Sequence, residues 1–214
     1  LTAAAATALT VSNTAEANLD LGNLDDLETV TLDGSGEANL TNVAGLTEVT
    51  SIDASDHTGA LTTALTPEAQ DGVTQEFIGS DAATELTIDA NARLFGDSVS
   101  FDGGGGTNTL VANFIPDGND VALGNASSIS NFDVLRLGDD ADGTDEFSAS
   151  GFGTVEVGET NGSGGVNIVD AAANPTLSLI ADTGGGDTVD LEGANTGGTG
   201  NSVTLNLNDI NGAS

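Results

Sequence analysis

Cysteine is missing from this sequence, so no disulfide contributes to its stability, although that absence alone does not fix the compartment. Lysine is missing too, and Arg93 and Arg136 are the whole basic complement. Nothing is therefore present to neutralise a phosphate backbone, which excludes nucleic acid as a partner. Tryptophan and tyrosine are absent and phenylalanine is limited to 7 residues. A wide core built on large aromatics is thereby excluded, whereas a thin core of Leu, Val, Ile and Ala is not. Proline is limited to 3 residues against 30 glycines, so the many turns rely on glycine to reverse the chain. No apolar run approaches the roughly 18 residues that a membrane span requires, so membrane insertion is not expected. Residues 1–11 are apolar but lack a basic leading segment and do not read as a signal peptide. With Leu at its first position, the chain is expected to be a fragment or a processed product.

What the sequence does contain is acid. It has 34 Asp and Glu side chains and a formal net charge of -32. Two carboxylates about 5 Å apart in water repel by roughly 0.8 kcal/mol before screening. Summed over a compact body, this repulsion opposes folding unless cations come from solution. Divalent metal is the efficient source, because the acids lie beside glycine in turn-like strings rather than along helical faces. A halophilic surface, acidic and merely solvated, is the other reading.

Short alternating segments dominate the chain. They are residues 28–32 (ETVTL), 85–90 (ELTIDA), 98–101 (SVSF), 133–137 (DVLRL), 154–157 (TVEV), 166–169 (VNIV), 176–180 (TLSLI), 187–191 (DTVDL) and 202–207 (SVTLNL). Most end in Gly, Asp or Asn, as strands do. Only residues 1–17 and 66–70 have a composition that admits helix, and the first is rich in Thr. Residues 23–35 (NLDDLETVTLDGS) and 42–55 (NVAGLTEVTSIDAS) form an internal repeat about 19–20 residues apart, with looser echoes at 128–138 and 151–158. A coil of that length cannot bury its own apolar face, but stacked coils build a continuous thin core. The expected fold is all-β: one elongated parallel β-solenoid module over residues 1–214, β-helix or β-roll-like with short irregular coils. A weak break, as a linker or an inserted loop, is expected near residues 58–79, and a β-sandwich is the alternative fold.

Residues 103–111 read GGGGTNTLV. They fit the nonapeptide G-G-x-G-x-D-x-U-x, with Asn108 at the acidic position and Leu110 at the apolar one. Glycines such as Gly104 and Gly106 let the backbone turn tightly and expose its carbonyl oxygens. A side-chain oxygen at position six, with Asp102 just before the motif, would complete an oxygen cage for a hard cation. Residues 182–191 (DTGGGDTVDL) are a second, partial match. There Gly185 and Asp187 fall at the fourth and sixth positions, with Asp182 and Asp190 nearby. Residues 197–205 and 79–86 are more degenerate versions.

These motifs, together with Leu/Thr/Asp-rich coils such as NLTNVAGLTEVTSIDAS, resemble the repeats-in-toxin calcium-binding family and in particular the calcium-dependent bacterial S-layer proteins. The resemblance covers most of the chain in style, and its strict matches cover residues 103–111 and part of 182–191. It implies bound Ca2+, secretion without a cleaved N-terminal signal, and calcium-driven self-assembly at the bacterial cell surface. The implied partners are further copies of the chain and cell-surface polysaccharide. An adhesin or biofilm-matrix module is the alternative. An ice-binding solenoid would need a regular T-x-T array over several coils.

A separate acidic cluster, Asp139, Asp140, Asp142 and Asp145, surrounds Gly143. It fails the EF-hand register, and a solvated turn and a metal site remain equally open. Catalysis finds little footing. His57 follows Asp53, Ser55 and Asp56, but a Ser-His-Asp triad draws its members from separate elements, so His57 is expected on a surface turn. The chain is not expected to be an enzyme.

Overall fold

The structure is a computed structural model that describes residues 5–43, 48–65, 75–88, 99–112, 129–137, 146–158, 166–169, 175–180, 189–191 and 204–207. Its elements are all strands. The odd-numbered ones are β1 (Ala8–Asn13), β3 (Thr29–Gly34), β5 (Ser51–His57), β7 (Gln75–Ile78), β9 (Val99–Asp102), β11 (Ile129–Ser130), β13 (Glu146–Ser148), β15 (Val166–Val169) and β17 (Val189–Leu191). The even-numbered ones are β2 (Ala17–Asp20), β4 (Ala38–Thr41), β6 (Leu61–Leu65), β8 (Thr84–Ile88), β10 (Thr109–Ala112), β12 (Val134–Leu137), β14 (Thr154–Val157), β16 (Thr176–Leu179) and β18 (Thr204–Leu207).

Odd strands pair with odd and even with even, in parallel, each with its counterpart one coil on. The protein is therefore a parallel β-solenoid. The β-sandwich alternative is overturned, because a sandwich rests on antiparallel pairs. The chain divides into two compact units: residues 1–90, 96–110 and 127–132, and residues 91–95, 111–126 and 133–214. In the first unit the odd sheet runs β1-β3-β5-β7-β9-β11, and the even strands run β2, β4, β6, β8 and on to β10. The stretch 58–79 contributes β6, which pairs with β4 on one side and β8 on the other. In the second unit β12, β14, β16 and β18 form one parallel ladder and β13, β15 and β17 another.

The first coil shows why such short strands suffice. After β2 the chain returns by two successive β-turns that share Leu24. Leu24 N–H donates to Leu21 C=O at 2.9 Å, and Leu27 N–H to Leu24 C=O at 2.9 Å. Each turn points one leucine inward, and Leu21, Leu24 and Leu27 are all buried. β3 then adds Val30 and Leu32 by strand alternation, so one coil places five apolar side chains in the core, three residues apart through the turns and two apart in the strand. Residues 1–17 were a helix candidate, but Ala8–Asn13 is strand. The alternation of Leu9 and Val11, paired with Val30 and Leu32, outweighs the helical bias of alanine.

The repeat is real but longer than its sequence match implied. Coils are offset by 21 residues at Asn18 and Asn39, 22 at Glu28 and Thr50, and 24 at Thr84 and Asn108. Val30 accordingly pairs with Ile52, not with Val49. The strands of the looser echo that lie in the second unit fall in register: Val134 to Leu137 pair with Thr154 to Val157.

Coils pack closely where odd and even strands meet. A Cβ at Gly59 would lie 2.0 Å from the Gly36 carbonyl oxygen, and one at Gly36 would lie 2.1 Å from that of Ala15. Only glycine fits such an approach. Deeper in the stack, Phe77 and Phe101 pair in register with ring centroids 6.4 Å apart, edge to face.

Candidate functional site

The best sequence motif lies at the turn between β9 and β10. The degenerate motif at residues 79–86 lies directly against it, one coil earlier. Gly79 N–H donates to Asp102 C=O at 2.8 Å, and Gly105 N–H to Ser80 C=O at 2.8 Å. Gly104 and Gly106 have φ of 80° and 75°, the left-handed region that favours glycine. Leu86 and Leu110, the apolar anchors of the two motifs, are both fully buried, as the motif register requires.

Position six differs from a ligand cage. Thr84 and Asn108 occupy it in the two coils, and both point inward, 1% exposed. Asn108 Oδ1 accepts the Thr84 N–H at 2.9 Å. Its Nδ2 donates to the carbonyls of Asn131 at 2.8 Å and Gly104 at 3.3 Å. One amide thus ties three successive coils together. Thr84 Oγ1 in turn accepts the Ser80 N–H at 3.1 Å. Turning Asn108 toward a cation would first require breaking its bonds to buried backbone groups.

Asp102 takes a different part. Its Oδ1 accepts the Gly104 N–H and the Asn131 Nδ2, each at 2.8 Å. Asn131 is held at φ 58°. The same bracket occurs in the first coils. There Asp20 Oδ1 accepts the Gly22 N–H at 3.0 Å and the Asn42 Nδ2 at 2.8 Å, and Asn42 has φ 59°. These two asparagines are the only non-glycine residues at positive φ among those described. Asparagine tolerates that conformation, and its amide can reach back to the coil before. The amide of Asn42, and then the N–H of Gly22, hold the Asp20 carboxyl below its ordinary pKa. Neither bracket was read from the sequence. The only available sign was an Asp two residues before a Gly, with an Asn about one coil later.

His57 corrects the expectation of a surface turn, because it is fully buried at the end of β5. The register between β3 and β5 shifts after Thr31, so that Asp33 meets Asp56 and Gly34 meets His57. Ser55 and Asp56 are exposed in succession, and this bulge turns His57 inward. Neither ring nitrogen has a hydrogen-bond partner. Asp53 is instead engaged by the Ser55 N–H at 3.0 Å. These residues form no relay.

Asp182, Gly185, Asp187, Asp139, Asp140, Asp142 and Asp145 lie outside the described residues. Asp190 falls in β17, whose side chains are likewise not described. Among the described residues, no group of three or more His, Asp or Glu side chains converges to hold a metal ion. Arg136, the one Lys or Arg described, pairs through Nε with Glu156 Oε2 at 2.7 Å in the second unit. Thr29 and Thr31 have Ala8, Thr10, Ser51 and Asp53 as neighbours, so the T-x-T pattern does not continue onto the adjoining strands. No described helix is long and apolar enough to cross a membrane. Comparison with protein-family models, curated proteins and solved structures yields no match for this chain.

Proposed function

We propose that this chain is a non-catalytic structural module of a self-assembling bacterial cell-surface layer, exported from the cell and ordered by calcium. The observation that carries the reading is the stacking of like charge in a parallel solenoid. Asp33 and Asp56 pair in register on adjacent strands, one strand spacing of about 4.8 Å apart. Directly opposed like charges destabilise a sheet. The sequence sets 34 acids against two arginines, so relief has to come from outside the chain. A divalent cation bridging stacked carboxylates supplies it within one copy, and bridging carboxylates of different copies supplies cohesion. In this reading the calcium donors are carboxylates and backbone carbonyls, including Asp102 and the acidic segments 139–145 and 182–190. The other partner is a cell-surface polysaccharide.

Thermal melting tests this in chelator, in about 10 mM calcium, and in sodium chloride of equal ionic strength. Extracellular modules bind calcium with dissociation constants of about 0.1–1 mM. A single site at the tighter value adds roughly 2.7 kcal/mol at that concentration. Calcium is expected to raise the midpoint well beyond matched sodium, and Asp187→Ala is expected to lose part of the rise. An equal rise in sodium would mean that screening alone suffices and the surface is halophilic. Negative-stain imaging is expected to show ordered assemblies only in calcium.

A further inference from the structure

His57 is the only histidine of the chain, and among the described residues it is the one titratable side chain that is fully buried. The bulge near the end of β5 turns its ring inward, and neither Nδ1 nor Nε2 has a hydrogen-bond partner. The backbone around it is tied on both sides. His57 C=O accepts the Asp81 N–H at 2.9 Å, and Thr58 donates its N–H to the Gly34 C=O at 2.8 Å. On the coil before, the register partner of His57 is Gly34, which has no side chain to serve the ring. On the coil after, Ser80 is buried just ahead of Asp81, but its Oγ is engaged with the Ala82 carbonyl at 3.3 Å and Thr84 Oγ1 at 3.4 Å.

A neutral imidazole leaves one N–H and one lone pair unsatisfied in this setting. An imidazolium would leave two N–H donors unsatisfied and would bury a full charge as well. Carboxylates do surround the corner: Asp33 and Glu37 on and after β3, Asp53 and Asp56 on β5, Glu76 and Asp81 on and after β7. β1 and β6 contribute no ionisable side chain. None of the six acids hydrogen-bonds the ring. Glu37, Asp56, Glu76 and Asp81 are exposed, and Asp33 and Asp53 are half-buried. Their attraction for a charged ring is therefore screened by salt, whereas the ring's loss of hydration is not.

We propose that His57 is an acid-sensitive latch: the corner between β5 and β6 closes over the neutral imidazole and is released when the ring takes up a proton. Opening places the ring in water, where an imidazole charges near about pH 6.5. As pH falls, the open form binds a proton that the closed form does not, so acid favours opening. For one such group the ratio of open to closed chains is expected to rise about tenfold between about pH 7.5 and about pH 5.5. Mild acid thus loosens the module above the range in which ordinary carboxylates lose their charge.

The test is run throughout in about 10 mM calcium and about 0.5 M sodium chloride, so the acidic repulsion is relieved under either account of it, and failure of the calcium reading leaves the result untouched. With a single histidine, the imidazole NMR signals assign themselves. As pH falls they are expected to keep the shifts of a neutral ring in the folded chain, while hydrogen exchange accelerates first at β5 and β6. Unfolding constants from denaturant melts at the two pH values are expected to change about tenfold less in His57→Leu than in the native chain. An imidazole that charges while exchange at β5 and β6 stays unchanged would overturn the proposal, and so would a His57→Leu chain with the native pH dependence. The first result means that the closed corner accommodates the charged ring. The second places the acid sensitivity in the carboxylates. The imidazole titration uses the native chain, so it decides the matter even where His57→Leu does not fold.

Discussion

Asn108 Oδ1 accepts the backbone N–H of Thr84 at 2.9 Å, so a side chain of one coil completes the backbone of the coil before it. With its two N–H groups directed at the Gly104 and Asn131 carbonyls, the amide matches its surroundings in both donor and acceptor sense. Replacing it separates two roles for the sixth motif position. Asn108→Asp can still accept from Thr84, but it sets a carboxylate oxygen against two carbonyls. In chelator this is expected to cost about 2–4 kcal/mol by denaturant unfolding. If the position serves only to tie coils together, calcium will stabilise this variant no more than it does the native chain. A calcium response larger than native would make position six a ligand after all.

Leu110 is fully buried two residues further on. Leu110→Ala is expected to cost about 2–5 kcal/mol, measured as a shift in denaturant midpoint at unchanged slope. Thr31→Ala, on an exposed outer face, is expected to change stability by less than about 0.5 kcal/mol.

These positions also mark how far the sequence could be read. The strands Thr154–Val157 and Val166–Val169 match their alternating segments end for end, and in Thr154–Val157 the period of 2 is a direct image of burial. Strands such as Ala17–Asp20 and Ala38–Thr41 carry one large apolar side chain each and give little periodic signal. The coil offset was misread because the similar strings TVT and EVT attract an alignment. Burial instead places Val49 three residues before Ile52, the partner of Val30. His57 escaped because a bulge breaks the alternation just before it, and nothing in IDASDH announces a bulge. The Asp102–Asn131 and Asp20–Asn42 brackets join residues 29 and 22 positions apart. They depend on a left-handed asparagine, which composition alone does not single out.

The Asp20–Asn42 bracket has a pH signature. Asn42, ahead of Gly22, lowers the Asp20 pKa in the folded state. A carboxyl with a lowered folded pKa adds stability above its unfolded pKa and loses it as pH falls through the folded value. Asn42→Gly keeps the left-handed backbone accessible and removes only the amide. The Asp20 titration, followed by carboxyl NMR, is expected to move upward toward the ordinary range. The stability difference from the native chain is expected to be present near neutral pH and to vanish in strong acid. An unmoved Asp20 midpoint would show that the amide contact does not form in solution.

Gly59 and Gly151 test the spacing of the coils from opposite directions. Around Gly151, at φ 92°, nothing lies within 4 Å of an added Cβ, so only backbone strain opposes a side chain there. Gly151→Ala is expected to cost about 1–2 kcal/mol, and Gly151→Asn less, because asparagine tolerates left-handed backbone. Gly59 has no such φ, but its added Cβ would lie 2.0 Å from the Gly36 carbonyl oxygen. The three nearest atoms, from Gly36 and Ser35, are all backbone, so no side chain can swing away to make room. Gly59→Ala must move one coil away from the next and loosen the parallel pairing between β4 and β6 on that side. It is expected to cost more than Gly151→Ala, and Gly59→Asn is expected to cost at least as much as Gly59→Ala, since a larger side chain offers no relief from a clash. Hydrogen exchange is expected to show the loss localised to amides of β4 and β6. If Gly59→Ala were tolerated as well as Gly151→Ala, the coils would be packed less closely at this corner than the structure places them.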